Sequence, residues 1–243
     1  MGAVHDQGVC IRHWDFSETS QTVSIFGRST GIVRGLAKGS RRERGAFDGG
    51  IDLLSRGEFG AIVKRGKELA TLTEWDLLEL FPRLRTDLAA NRVAYYMADV
   101  VGRMLEPEDP HPALYDRMVE SIRAIGAARC RDEPSPDGGH ALLSFQWTLL
   151  SETGYRPSFE GWSGDVAVFS PSAGRVVRAG EPMEGPAWKV RAATIDCLER
   201  IGSGESTTDA ESTDRANRLL ASYVRHVLGN EPPTMQALFA DGR

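Results

Sequence analysis

The chain has 243 residues, of which 41% are hydrophobic and 26% charged, a composition that excludes a disordered or fibrous protein and leaves room for one large or two small domains. No apolar run approaches the roughly 20 residues of a membrane-crossing helix. Residues 1–7 lack a signal-peptide core, and the scattered Cys10, Cys130 and Cys197 form no CxxC pair and no disulfide framework, so a cytoplasmic protein without membrane attachment is expected.

The net charge of −5 disfavours polyanionic partners only when it is averaged over the chain. Residues 21–67 carry ten Lys and Arg against four Asp and Glu, whereas everything after Lys67 carries 18 against 27. Phosphate binding depends on the field within about a Debye length, so a basic module tethered to an acidic one can still bind nucleic acid.

In chain order, residues 9–14 alternate as a strand, with Val9, Ile11 and His13 on one face and Cys10, Arg12 and Trp14 on the other. Residues 21–26 and 32–37 read as a hairpin around the turn Gly27-Arg28-Ser29-Thr30-Gly31, glycine standing at each end where positive φ is needed. Further strands are predicted at 51–54, 59–64 and 69–73, the last two joined by an Arg65-Gly66-Lys67 turn. So many short strands closely spaced predict a small closed β-barrel. From Glu74 the pattern turns helical. Leu84, Leu88, Val93, Tyr96, Val100 and Met104 predict one long amphipathic helix, ended by Pro107 and Pro110. Leu114, Met118, Ile122 and Ile125 predict a second, residues 131–139 a loop, and residues 141–153, 187–201 and 214–228 three more helices. Residues 202–213 read as a polar connection, and a short helical turn is expected after Pro233.

The hairpin runs into a cationic loop, Lys38, Arg41, Arg42 and Arg44, opposed only by Glu43, with Arg28 and Arg34 close by in sequence. Cations fixed at the end of a small curved sheet suit phosphate binding, and a solvated surface loop is the alternative. Trp14, Phe26 and Phe47 are aromatics that either stack on bases or fill the barrel. Lys64, Arg65 and Lys67 form a secondary patch that reads as a solvated turn. No phosphate-binding loop, HExxH, GxSxG or dinucleotide-binding glycine pattern occurs, and no nucleophile–base pair is apparent, so an enzyme is not expected.

The order Glu18-Thr19-Ser20, an apolar strand ending in Phe26, a glycine turn, Gly35-Leu-Ala-Lys-Gly-Ser-Arg-Arg42 and then Phe47 resembles the N-terminal signature of the bacterial RecO family of recombination and repair mediators. Leu149-Leu150 followed by Gly154-Tyr-Arg-Pro157, and the closing segment 215–229, are similar to the same family, so the resemblance covers most of the chain. It implies an α+β protein, an N-terminal OB-fold barrel (residues 1–78) followed by a C-terminal α-helical domain (residues 79–243). It also implies binding of single- and double-stranded DNA, annealing of complementary strands and a nucleoid-associated location. With RecR and the C-terminal tail of single-strand-binding protein as partners, it would help load RecA. On this reading Arg28, Arg34, Lys38, Arg41, Arg42 and Arg44 contact phosphates, Trp14 stacks on a base, and Arg123, Arg129 and Arg131 meet the acidic tail. About six neutralised phosphates would give a salt slope near −4.

Many members of that family carry a four-cysteine zinc site after Gly-Tyr-x-Pro. Here Trp162, Val177 and Gly180 stand where cysteines would fall, and no cysteine or histidine lies between Ser144 and Lys189. Tetrahedral zinc needs four S or N ligands. A degenerate, metal-free zinc-ribbon-like hairpin is therefore expected over about residues 155–185, strands 165–169 and 175–178 held by Trp162 and Phe169, with no cofactor. The other readings are an interaction adaptor without DNA binding and an RNA-binding OB protein.

Overall fold

The computed structural model describes residues 2–42, 45–47, 49–63, 66, 68–126, 138–162, 164–178, 180–206 and 209–239. They fall into two compact units, Met1–Pro134 and Ser135–Arg243. The first holds strands β1 (Gly2–Ser17), β2 (Ser20–Gly27), β3 (Gly31–Ala37), β4 (Arg56–Val63) and β5 (Ala70–Glu79), then helices α1 (Arg83–Thr86), α2 (Leu88–Met104) and α3 (Pro112–Gly126). The strands close a barrel in the order β1-β2-β3-β5-β4, antiparallel except where β3 meets β5.

One strand makes closure possible. Residues 2–9 of β1 pair with β4 and residues 8–17 pair with β2, so the strand must coil through nearly the whole wall. At the crossing Gly8 lies opposite both Gly27 and Gly57. A Cβ on Gly8 would stand 2.2 Å from Ile25 Cγ2, so only glycine permits that approach. A bulge between Cys10 and Arg12 adds bend and resets the alternation. Cys10 therefore points into the core with Val23, Ile25, Val33, Phe59, Leu72 and Trp75, while Arg12 and Trp14 stay on the outer wall. This corrects the simple alternation, which grouped Cys10 with them. Burial pushes the Cys10 thiol up to about 12, which keeps it protonated and inert.

Several elements of this unit differ from the sequence expectation. Residues 51–54 form no strand. Ile51 is fully buried and, with Phe47, plugs the barrel end, so these residues are apolar for packing rather than for a ladder. β5 runs on to Glu79, because Trp75 fills the core while Glu74 and Asp76 flank it on the outer side. The long helix is broken at Asp87, whose carboxylate caps α2 by accepting from Ala89 N (2.9 Å) and Ala90 N (3.1 Å).

Helices α1–α3 pack in the same compact unit as the barrel, and long-range contacts hold them there. Phe26 on the outer barrel wall meets the Tyr115 ring edge-on at 5.8 Å, and Arg123 of α3 forks onto Glu79 of β5 at 2.8–3.0 Å. Arg56 reaches the same carboxylate at 3.1 Å. Hydrogen bonds from Arg123, and behind them from Arg56, hold the Glu79 carboxyl below its usual range against burial, which pushes it up. A depressed native pKa contributes stability above the unfolded value, near 4.3 on model peptides, and loses it as pH falls through the native value. Thermal melts between pH 6 and 3 should therefore show a shallower acid loss for Glu79→Gln than for the parent chain. Parallel acid limbs would remove Glu79 from the account.

The second unit contains α4 (Gly138–Glu152), β6 (Val166–Ser170), β7 (Arg175–Val177), β8 (Trp188–Arg191), α5 (Ala192–Gly202), α6 (Ala210–Leu228) and α7 (Pro233–Phe239). Gln146 of α4 donates to Asn217 Oδ1 of α6 at 2.8 Å, a buried amide pair that fixes how the two helices meet. The expected hairpin is present as β6 and β7, but β8 joins it in the order β7-β6-β8, so residues 188–191 are strand rather than the start of a helix. Its anchor also differs. Phe169 is buried against Phe159, Trp188 and Tyr223, with centroids 5.4–6.0 Å apart, while Trp162 is only half-buried and borders a cleft with Val166 and Val168. Among the described residues no helix is long and apolar enough to cross a membrane.

Candidate nucleic-acid interface

The outer wall of β1, β2 and β3 carries the features that the sequence scattered. Strand register sets Trp14 opposite Thr22 and Thr22 opposite Leu36, and one step along it sets Arg12 opposite Ser24 and Ser24 opposite Arg34. Between these two rows lies an open cavity of about 260 Å³, with Leu69 from the β4–β5 connection and Gly102 of α2 on its border. Trp14 is 52% exposed and Arg34 is exposed. Ile32 and Leu36 do share the face of Arg34, but that face is the outer one, since Val33 and Ala37 supply the core.

The basic loop is fastened to the β1–β2 end of this wall. The Gly39 N–H donates to Ser20 Oγ at 3.1 Å and the Arg41 N–H to Thr19 O at 3.1 Å. Beneath them the buried Gln21 amide accepts from Ser40 Oγ and Ile51 N, both at 3.0 Å, and donates to Ile51 O at 3.3 Å. Lys38 and Arg42 are thus carried on ordered backbone and stand exposed. Among the described residues neither they nor Arg34 have an ion-pair partner.

The other predicted cations fare differently. Arg41 is paired with Asp15, which offsets its charge. Arg28 lies at the opposite end of β2 and β3 and forks onto Asp116 of α3, both contacts 2.8 Å. The same fork holds the Asp116 carboxyl below its usual range. Arg28 therefore ties the turn to the helix and stands apart from Lys38 and Arg42. Arg44, Lys64, Arg65, Lys67, Arg129 and Arg131 lie outside the described residues. Arg123 is engaged by Glu79 rather than open to a peptide. Phe26 and Phe47 are buried, which removes both as stacking platforms.

Arg12, which the sequence reading did not single out, also lines the cavity. It shares Asp99 with Arg103, at 2.8 and 2.7 Å, so one carboxylate stands against two guanidiniums at the edge of the cavity. Its position two residues before Trp14 was the available signal. Phe16, 63% exposed beside the β1–β2 turn, was also passed over.

Base stacking on an aromatic platform is worth about 1–3 kcal/mol per base. Trp14→Ala should accordingly weaken single-strand binding by about 5–150-fold. Its side chain is half exposed, so the melting temperature should move little. Anisotropy with an oligothymidine, read beside a thermal melt, measures both.

A closed five-stranded barrel in this order, with an open cavity on its β1–β3 wall, defines the OB-fold class, whose β2–β3 face and β1–β2 and β4–β5 loops receive oligonucleotides and oligosaccharides. Within that class, a family model described as "Recombination protein O N terminal" matches residues 1–81, and one described as "Recombination protein O C terminal" matches residues 85–236. The chain belongs to the RecO family. A protein of Symbiobacterium thermophilum named "DNA repair protein RecO" is 30% identical over 240 residues, 92% of each chain. A Roseiflexus protein of the same name is 28% identical over 96% of this chain and 83% of its own length. The match to the Rhodopirellula baltica protein so named, 33% identical, covers 62% of this chain and spans about half, 53%, of that relative.

Proposed function

We propose that this chain is a DNA repair and recombination mediator that binds single- and double-stranded DNA on the outer β1–β3 wall of its barrel. The observation that carries the reading is that Trp14 and Arg34 stand exposed on one open cavity of this wall, while Lys38 and Arg42 stand exposed on the loop fastened to the β1–β2 end of the same wall and tied down by Gln21. Annealing needs two mutually repelling strands to share one cationic surface, and binding free energy alone can do that work. RecR, single-strand-binding protein and the loading of RecA are part of the same proposal, supported by family membership. So is activity without zinc, supported by the lack of cysteine and histidine between Ser144 and Lys189.

The test is anisotropy titration of labelled single-stranded DNA, duplex and RNA against the purified chain at several salt concentrations. With three unpaired cations the single-strand slope of log K on log salt should be about −2, shallower than six contacts would give. Absence of salt-sensitive DNA binding with RecR binding intact would leave an adaptor. A strong preference for RNA, which alone offers a 2′-OH, would point to translation instead.

A further inference from the structure

The far end of the same wall carries the opposite charge. β3 pairs with β2 along its length but with β5 only at Gly35 and Leu36, which leaves the edge of residues 31–34 open to another segment. Glu106-Pro-Glu-Asp109, the link from α2 to α3, lies on that edge. Pro107 bridges to Ile32 in parallel, and the Glu108 N–H donates to Ile32 O at 3.2 Å. A Cβ on Gly31 would come within 2.4 Å of Asp109 O, so the backbones are in direct contact there. Glu108 holds φ of 63°, a left-handed conformation that a non-glycine residue adopts only when its surroundings impose it. The segment is thus a seated element with three exposed carboxylates. Among the described residues no cation pairs with Glu106 or Glu108, and Asp109 meets only the His111 ring, at 3.3 Å.

We infer that Glu106, Glu108 and Asp109 form an anionic stop at the end of the DNA track, one that biases the barrel toward single strands over duplex. The inference rests on the proposed DNA-binding wall. Gly31 and Ala37 are the two ends of β3, about 20 Å apart at the usual rise per residue. A duplex held along the strands by Lys38 and Arg42 is straight over that distance, because its persistence length is about 150 base pairs, so its phosphates must approach the carboxylates. A single strand bends away after Arg34 and keeps the same cationic contacts.

The test compares the parent chain with Glu106→Gln/Glu108→Gln/Asp109→Asn, and with Glu106→Gln/Glu108→Gln, which leaves the residue against Gly31 intact. A 20-base oligothymidine and a 20-base-pair duplex are titrated at 50 and 300 mM salt. At the lower salt the triple variant should bind duplex about five-fold more tightly with single-strand affinity changed less than two-fold, and the gain should shrink at the higher salt. The double variant should give a smaller shift of the same sign. An unchanged ratio of the two affinities, or an equal gain for both ligands, overturns the stop while leaving the binding wall in place. A parent chain that binds neither ligand overturns the wall, and the stop with it.

Discussion

Replacing Arg34, Lys38 and Arg42 together by alanine should lower affinity for single-stranded DNA by about 10²-fold at 0.1 M salt and flatten the salt slope by about 2. Each phosphate contact on a single strand releases about 0.7 of a counterion, and three contacts at that concentration account for both figures. The loss should be similar for every sequence, because these residues meet the backbone and not the base edges. All three side chains are exposed, so the melting temperature should hold. Arg28→Ala supplies the contrast. Its guanidinium is already committed to Asp116, at the other end of β2 and β3, so DNA affinity should change by less than two-fold. Unaltered affinity in the triple variant would place the phosphate track elsewhere. A loss on Arg28→Ala as large as that of the triple would return the β2–β3 turn to the interface.

The contrast between these cations also separates what the sequence could tell from what it could not. The clustering of Lys38, Arg41 and Arg42 is local, and so is the hairpin that carries them, hence both could be read from neighbouring residues. Which cation is neutralised is a long-range question. Arg28 finds its carboxylate 88 residues away on α3, Arg12 finds one 87 residues away on α2, and Arg41 turns back to Asp15. No local pattern distinguishes them from Arg34, which remains exposed. The same limit explains the strand errors. Residues 74–79 alternate around Trp75 as a strand, yet Leu77, Leu78 and Leu80 at close spacing look equally like the start of a helix. Ile51 is apolar because, with Phe47, it packs into the barrel core, a demand visible only once the barrel is closed. Residues 188–191 become a strand because β6 offers an unpaired edge, and Trp188 then joins the ring cluster around Phe169. The bulge at Ile11 is the least legible feature and the one with most effect on the site, since it sends Cys10 inward while Arg12 and Trp14 remain outside.

A second large effect is expected where stability and binding meet, at Gln21. Gln21→Leu keeps much of the side-chain volume and removes the amide. The Ile51 N–H, in a fully buried residue, and the Ser40 hydroxyl then lose their partner, and the Ile51 C=O keeps only His13 Nδ1 at 3.2 Å. An unsatisfied buried polar group costs about 1–3 kcal/mol, and water can reach only part of this site, so a loss of about 3 kcal/mol is expected in urea unfolding. Ser40→Ala, which deletes one donor and leaves the Ile51 contacts, should cost about 1 kcal/mol. Binding should follow the loop rather than the total stability. At low temperature, where the Gln21→Leu barrel is still folded, the end of the loop that carries Lys38 and Arg42 is no longer tied to the residue beneath it, and DNA affinity should fall about ten-fold as those cations must be ordered on binding. Full affinity in a chain that is destabilised but folded would mean that Lys38 and Arg42 act as a loose counter-charge, and the case for a preformed phosphate site would fail.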